Sequence, residues 1–162
     1  MGEKLKKEDW KLLIILIIMG FVLSFGSIAI YNEWYKSVPY IIQFKIHGYT
    51  KENALAVCSG KNLEWTAYCL NSFVRGIYFY NKSNVGKELS FDELVNEGGV
   101  CKHYADLYLE LFKKLNFKTQ RISIDISREG DVQYWHAFLL AYDKSGWCSL
   151  DQKHMDCFMY EE

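Results

Sequence analysis

The chain is organised around the stretch Gly98-Gly99-Val100-Cys101-Lys102-His103-Tyr104-Ala105. Two glycines allow a close backbone approach, and a strongly helical run then begins at Cys101 and continues to about Leu115. A thiol at the N-terminus of a helix lies in the positive field of the unpaired backbone N–H groups, which favours the reactive thiolate. The stretch therefore predicts a central helix that carries a candidate nucleophile. His103 projects to a different side of this helix, and we expect it at the surface or behind the site.

Two residues downstream could complete such a site. His136 lies in the strand-like run Tyr134–Phe138, and Asp151 ends the run Gly146–Asp151. A cysteine, a histidine and an aspartate in this order are candidates for a nucleophile, a general base and the group that orients the base. We therefore predict Cys101, His136 and Asp151 as the catalytic residues.

A tight turn between these two runs makes the prediction geometrically specific. If the hairpin turns on Lys144 and Ser145, antiparallel pairing continues along both strands and Asp151 comes to lie opposite Phe138. His136 and Phe138 point to the same face because they are two residues apart. Asp151 is then a diagonal neighbour of His136, within reach of its ring. A shift of register by one residue would move Asp151 to the other face.

The order of the elements predicts the fold class. Helical patterns come first, and strand candidates follow at 117–127, 132–142 and 146–151. Helices followed by a run of strands indicate an α+β fold with an antiparallel sheet packed on the central helix. A chain of 162 residues suffices for one globular domain, which we place at residues 51–162.

An uncharged apolar segment precedes this domain. No charged residue occurs from Leu12 to Asn32, and a run of that length can cross the hydrocarbon core of a membrane as a helix. Lysines concentrated before the run indicate a cytoplasmic N-terminus and an extracytoplasmic domain. We therefore expect a single-pass protein of the cell membrane, with a cytoplasmic tail at 1–11, a transmembrane anchor at 12–35 and a connector at 36–50.

Two alternatives remain for the apolar segment. Ser27-Ile28-Ala29 would suit the small residues of a cleavage site, so the segment could be a cleaved signal peptide. It could also be a buried helix of a soluble core, although no polar face interrupts the run. The anchor and the signal peptide both place the domain outside the cytoplasm.

The number of cysteines bears on which thiol is reactive. Five cysteines leave one unpaired in an oxidising compartment. If Cys101 is the free one, the other four allow three disulfide connectivities. Closeness in sequence favours Cys58–Cys69 and Cys148–Cys157, and the alternative is that some of these residues are buried free thiols.

Other kinds of ligand find little support in the sequence. Cys148, His154 and Cys157 could bind zinc, but they lack the close Cys-x-x-Cys pair that is typical of such sites. The net charge is -1, and no basic run with interleaved aromatic residues follows the N-terminal tip, which argues against a nucleic-acid partner. We expect no metal, no cofactor and no nucleic acid.

The sequence around the three candidate residues resembles the transglutaminase-like superfamily. Members of this family share a papain-like core, in which a cysteine begins the central helix while a histidine and an aspartate lie on neighbouring antiparallel strands. Two positions depart from the family: Phe138 stands where tryptophan is frequent, and Gln152 stands where proline often follows the aspartate. The resemblance covers about residues 60–152 and rests on four blocks: Gly99–Ala105, Phe117–Ile122, Trp135–Phe138 and Gly146–Asp151.

The resemblance implies thiol-based acyl transfer by a Cys101–His136–Asp151 triad. Cys101 Sγ would attack an amide or ester carbonyl, His136 would move the proton to the leaving amine, and Asp151 would hold the imidazole. Water would resolve the acyl-enzyme in a peptidase or amidase, and a lysine amine would do so in a cross-linking enzyme. The expected substrate is a peptide or protein. The alternative is a non-catalytic module of the same fold that binds peptides or cell-surface polymers.

Overall fold

The computed structural model of the chain describes residues 39–126 and 135–160. The predicted tail at 1–11 and membrane anchor at 12–35 lie outside these residues. Among the helices of the described residues, none has both the length and the apolar character needed to span a membrane. The described residues belong to one compact unit, Ser37–Glu162.

In the described residues, helices come first and strands follow. The strands form one antiparallel sheet in the order β1-β2-β3-β4, so the structure has the α+β class that the sequence predicts. Residues 127–134, which include parts of two predicted strands, lie outside the described part. The elements are α1 (39–47), α2 (Lys51–Cys58), α3 (Leu63–Ile77), a 3₁₀ turn (Lys82–Asn84), α4 (Phe91–Glu97), α5 (Cys101–Lys114), β1 (Lys118–Asp125), β2 (Trp135–Asp143), β3 (Gly146–Asp151) and β4 (His154–Met159).

Local signals determine where the helices around the candidate site begin and end. Thr50 and Ser90 cap α2 and α4 with their side chains, and Glu93 completes a capping box with Ser90. Gly98 ends α4 with a φ of 76°, a conformation that glycine adopts without steric cost. Asn116 follows α5 with a φ of 65°. The chain therefore turns sharply on both sides of α5.

Two elements are additional to those predicted. The segment 36–50, expected as a connector, includes the helical residues of α1, whose Tyr40 and Phe44 are buried in the core. Strand β4 follows β3 after a two-residue turn and pairs with it along its whole length. Residues of β4 alternate between exposed and half-buried, so this strand lacks the apolar run that identifies the others.

The hydrophobic core lies between α3, α5 and one face of the sheet. Burial of each large apolar side chain contributes roughly 1.5–3 kcal/mol, so this interface supplies most of the free energy that holds α5 on the sheet. The largest fully buried side chains of α3, α5 and the sheet are Leu63, Leu70, Phe73, Val74, Tyr104, Tyr108, Leu111, Phe112, Leu139 and Leu150.

Two disulfides link neighbouring elements. Cys58–Cys69 joins α2 to α3, and Cys148–Cys157 joins a directly opposed pair on β3 and β4. Both pairings agree with the prediction, and Cys101 is the free cysteine. Because Cys148 and Cys157 are bonded to each other, they cannot form the alternative zinc site. The described residues contain no cluster of three or more side chains able to hold a metal ion.

The first testable prediction concerns the Cys58–Cys69 disulfide. The double variant Cys58→Ala/Cys69→Ala should lower the free energy of unfolding by about 2–3 kcal/mol, because a short cross-link restricts the unfolded chain. Urea denaturation measures this change. Cys101→Ala, which removes a thiol outside both disulfides, serves as the control. Equal stability of the double variant and the native chain would contradict the prediction.

Candidate active site

The candidate nucleophile lies where α5 begins. Val100 precedes the helix in an extended conformation, and Cys101 is the first helical residue. The Cys101 side chain is partly buried, and its Sγ lies 3.8 Å from the carbonyl oxygen of Trp135, to which the thiol donates. This contact brings the start of α5 to the start of β2, next to His136.

Backbone pairing holds the chain that leads into the candidate nucleophile. The Gly99 N–H donates to the Phe79 carbonyl at 2.9 Å, and the Asn81 N–H donates to the Gly99 carbonyl at 2.9 Å. The Tyr104 hydroxyl accepts from the Phe79 N–H at 2.9 Å and donates to the Phe79 carbonyl at 2.8 Å. The segment after α3 is therefore tied both to the approach loop and to the first turn of α5.

His103 supports the same loop from the inside. It is 7% exposed, so of the two expected positions the surface is wrong, and the residue lies behind the site. Its Nδ1 accepts from the Val100 N–H at 3.0 Å, and its Nε2 lies 2.9 Å from the Lys87 carbonyl oxygen. Because a carbonyl only accepts, Nε2 carries the proton and the ring is a neutral tautomer. His103 occupies the helix position at which a capping box usually has Glu or Gln, so both ring nitrogens serve the structure of the loop.

His136 and Asp151 are joined by a direct hydrogen bond. His136 Nε2 lies 2.8 Å from Asp151 Oδ2. A carboxylate accepts, so Nε2 donates, and Nδ1 is the nitrogen without a proton in the neutral ring. Among the described residues, the hydrogen-bond partner of Cys101 Sγ is the Trp135 carbonyl and not the imidazole. The thiol therefore lies against the backbone of Trp135, the residue before His136.

The register of the hairpin explains the contact between His136 and Asp151. The pairing runs from the turn as far as Leu139 with Leu150, in the predicted register. Leu139 and Leu150 are buried on the face that contacts the helices. Side chains alternate along a strand, so His136 and Asp151 both lie on the opposite face. Both residues also lie near the same end of the two inner strands, because β2 begins where β3 ends.

The environment of Asp151 directs its charge toward the imidazole. The side chain is 41% exposed as a whole, while its Oδ1 atom is enclosed and accepts no hydrogen bond from the described residues. Among the described residues, His136 is thus the side chain that donates a hydrogen bond to the Asp151 carboxylate. A negative charge at this position stabilises the positive imidazolium that forms when the ring takes a proton.

Two further residues, Tyr78 and Gln152, lie near the site, and no sequence pattern indicates their contact. The Tyr78 hydroxyl donates a hydrogen bond to Gln152 Oε1. Burial raises the pKa of Tyr78, and the charges of nearby groups, Asp151 and Cys101 among them, raise this pKa further. The hydroxyl therefore stays protonated near Asp151 and Cys101. Spacing alone could not indicate it, because Tyr78 directly follows an amphipathic helix with no motif of its own.

The second prediction tests the structural role of His103. His103→Leu should lower the free energy of unfolding by about 1–3 kcal/mol, because the Val100 N–H and the Lys87 carbonyl lose a buried partner. His103→Gln keeps an acceptor at the same helix position, so we expect it to lose less than half as much. Urea denaturation of both variants checks this order. A leucine variant as stable as the native chain would refute it.

The structure thus places Asp151 against His136 and brings Cys101 to the backbone of the residue before this histidine. Comparison with protein-family models, with curated proteins and with solved structures finds no match for this chain. We therefore infer the function from the geometry and chemistry of these three residues.

Proposed function

We propose that the chain is a cysteine acyl-transfer enzyme of the transglutaminase-like type. One observation carries this proposal: the free thiol of Cys101 contacts the backbone next to His136, whose ring is paired with Asp151. A nucleophile, a base and a group that orients the base form the set that this chemistry needs. A cysteine at the start of the central helix, beside adjacent antiparallel strands that carry histidine and aspartate, supports the same assignment.

The first half of the reaction forms a thioester. The Cys101 thiol leaves the Trp135 carbonyl and passes its proton to Nδ1 of His136, while Sγ attacks an amide or ester carbonyl. The oxyanion develops near the backbone N–H of Cys101, one of the N–H groups of the first helical turn. The imidazolium, stabilised by Asp151, then protonates the leaving amine or alcohol. The acyl group remains on Sγ.

The second half of the reaction releases the acyl group. His136 Nδ1 takes a proton from water or from an amine as that molecule attacks the thioester. The thiolate leaves and recovers the proton from the ring. Water as the acceptor makes the protein a peptidase or amidase, and a lysine amine makes it a cross-linking enzyme. These residues supply the groups for both halves of the reaction, so the proposal includes no cofactor.

We place this activity outside the cytoplasm, on a membrane-anchored protein that acts on peptides or proteins. Two disulfides suit an oxidising compartment. The uncharged segment from Leu12 to Asn32, with lysines before it, supports a single N-terminal anchor and an extracytoplasmic domain.

The third prediction tests the reactivity of the thiol. In the full chain without reductant, iodoacetamide at neutral pH should label Cys101 and leave the four disulfide cysteines unlabelled. His136→Ala should slow this labelling roughly tenfold, because an unassisted cysteine is only a few per cent thiolate near pH 7. Peptide mapping by mass spectrometry gives both the position and the rate.

Matched variants separate enzyme from binding module. Cys101→Ser should abolish labelling, and His47→Ala, which removes an exposed histidine on α1, should leave the rate unchanged. An inert Cys101, or equal rates in His136→Ala and the native chain, would contradict the enzyme. Either result would favour the alternative, a non-catalytic module that binds peptides or cell-surface polymers.

A further inference from the structure

Polar side chains from α3 and α5, and from the residue that follows α3, converge on Gln152, the residue after Asp151. The Tyr108 hydroxyl donates to the Gln152 carbonyl at 2.7 Å, and the Tyr78 hydroxyl donates to its side-chain oxygen. The Asn71 side-chain amide in turn donates to the Tyr108 hydroxyl at 3.1 Å. We call Asn71, Tyr78 and Tyr108 the Gln152 clamp.

The clamp places polar groups where the core would otherwise be apolar. Tyr108 is fully buried and Asn71 is 5% exposed. Polar groups in a core cost free energy unless they form hydrogen bonds. Here Asn71 bonds the Tyr108 hydroxyl, and that hydroxyl bonds Gln152 in the turn between β3 and β4. Burial raises the pKa of Tyr108 far above its ordinary value, so its hydroxyl stays protonated and can donate.

The turn itself has a conformation that needs support. Gln152 has a φ of 52°, in the left-handed region that residues with a side chain rarely adopt. Such a conformation persists when the surrounding structure holds it. Tyr108 holds the Gln152 backbone and Tyr78 holds its side chain, so the two hydroxyls together fix this residue.

The same turn determines where Asp151 points. Among the described residues, Asp151 Oδ1 accepts no hydrogen bond, and Oδ2 is bonded to His136. The orientation of the carboxylate therefore depends on this bond and on the Asp151 backbone. Asp151 and Gln152 are consecutive residues, so the backbone of one moves with that of the other. Movement of the turn would therefore carry Oδ2 away from His136 Nε2, and the imidazole would lose the partner that selects its tautomer.

We propose that Tyr108 and Tyr78 are positioning residues for the acyl-transfer reaction. Their hydroxyls hold Gln152 so that Asp151 keeps His136 protonated on Nε2 and leaves Nδ1 free for the thiol of Cys101. This inference rests on the proposed function. The clamp acts through the turn and needs no contact with the substrate.

The test uses Tyr108→Phe in the full chain, because this variant removes only a hydroxyl. Nitrogen-15 NMR of histidine-labelled protein, recorded where imidazole is neutral, reports which ring nitrogen carries the proton. We expect His136 to change from the Nε2–H form to a mixture of tautomers. His103, held in the Nε2–H form by other partners, should stay unchanged in the same spectrum. Labelling of Cys101 by iodoacetamide should slow about threefold to tenfold.

Controls separate positioning from general destabilisation. Tyr40→Phe removes a hydroxyl from a buried tyrosine outside the clamp and should change neither His136 nor the labelling rate. A folded Tyr108→Phe with native His136 signals and a native labelling rate would overturn the proposal. If Tyr108→Phe does not fold, Tyr78→Phe decides by the same two measurements. An unreactive Cys101 in the native chain would refute the proposed function, while the His136 signals would still decide the role of the clamp.

Discussion

The pairing register between β2 and β3 is the constraint on which the candidate site depends. In the observed register, His136 and Asp151 lie on the same face of the sheet, near the same end of the two strands. His136 Nε2 and Asp151 Oδ2 are 2.8 Å apart. A shift by one residue would reverse the face of every side chain on β3 and bury a carboxylate in the core. The tight turn between Asp143 and Gly146, which connects the two strands, opposes such a shift.

A second set of contacts, around the start of α5, places the Cys101 thiol against the backbone of Trp135, the residue before His136. Tyr104 and the Phe79 backbone hold the approach loop from one side, and His103 holds it from the other. His103 and His136 both carry the proton on Nε2, but for different reasons. The first ring has backbone partners on both nitrogens, which makes it structural. His136 bonds the Asp151 carboxylate through Nε2, and Nδ1 is the nitrogen that we propose as the base.

The sequence predicts correctly the features that depend on residues close together along the chain. Helix α5, the β2–β3 hairpin and the two disulfides follow from periodicity, turn residues and closeness along the chain. Long-range contacts are not visible in this way: Gln152 meets Tyr78 and Tyr108 across 74 and 44 residues. The core residues of α1 escape prediction for the same reason, because partners far along the chain decide their burial.

Acylation by a small activated ester tests whether Cys101 is a nucleophile that His136 assists. When the full chain is mixed with p-nitrophenyl acetate, we predict a burst of nitrophenolate and an acetyl group on Cys101, found by peptide mapping. Slower release should follow as water clears the thioester, and it should depend on His136. If nitrophenolate is released no faster than by the Cys101→Ser variant, or if only other residues are acetylated, Cys101 is not the nucleophile.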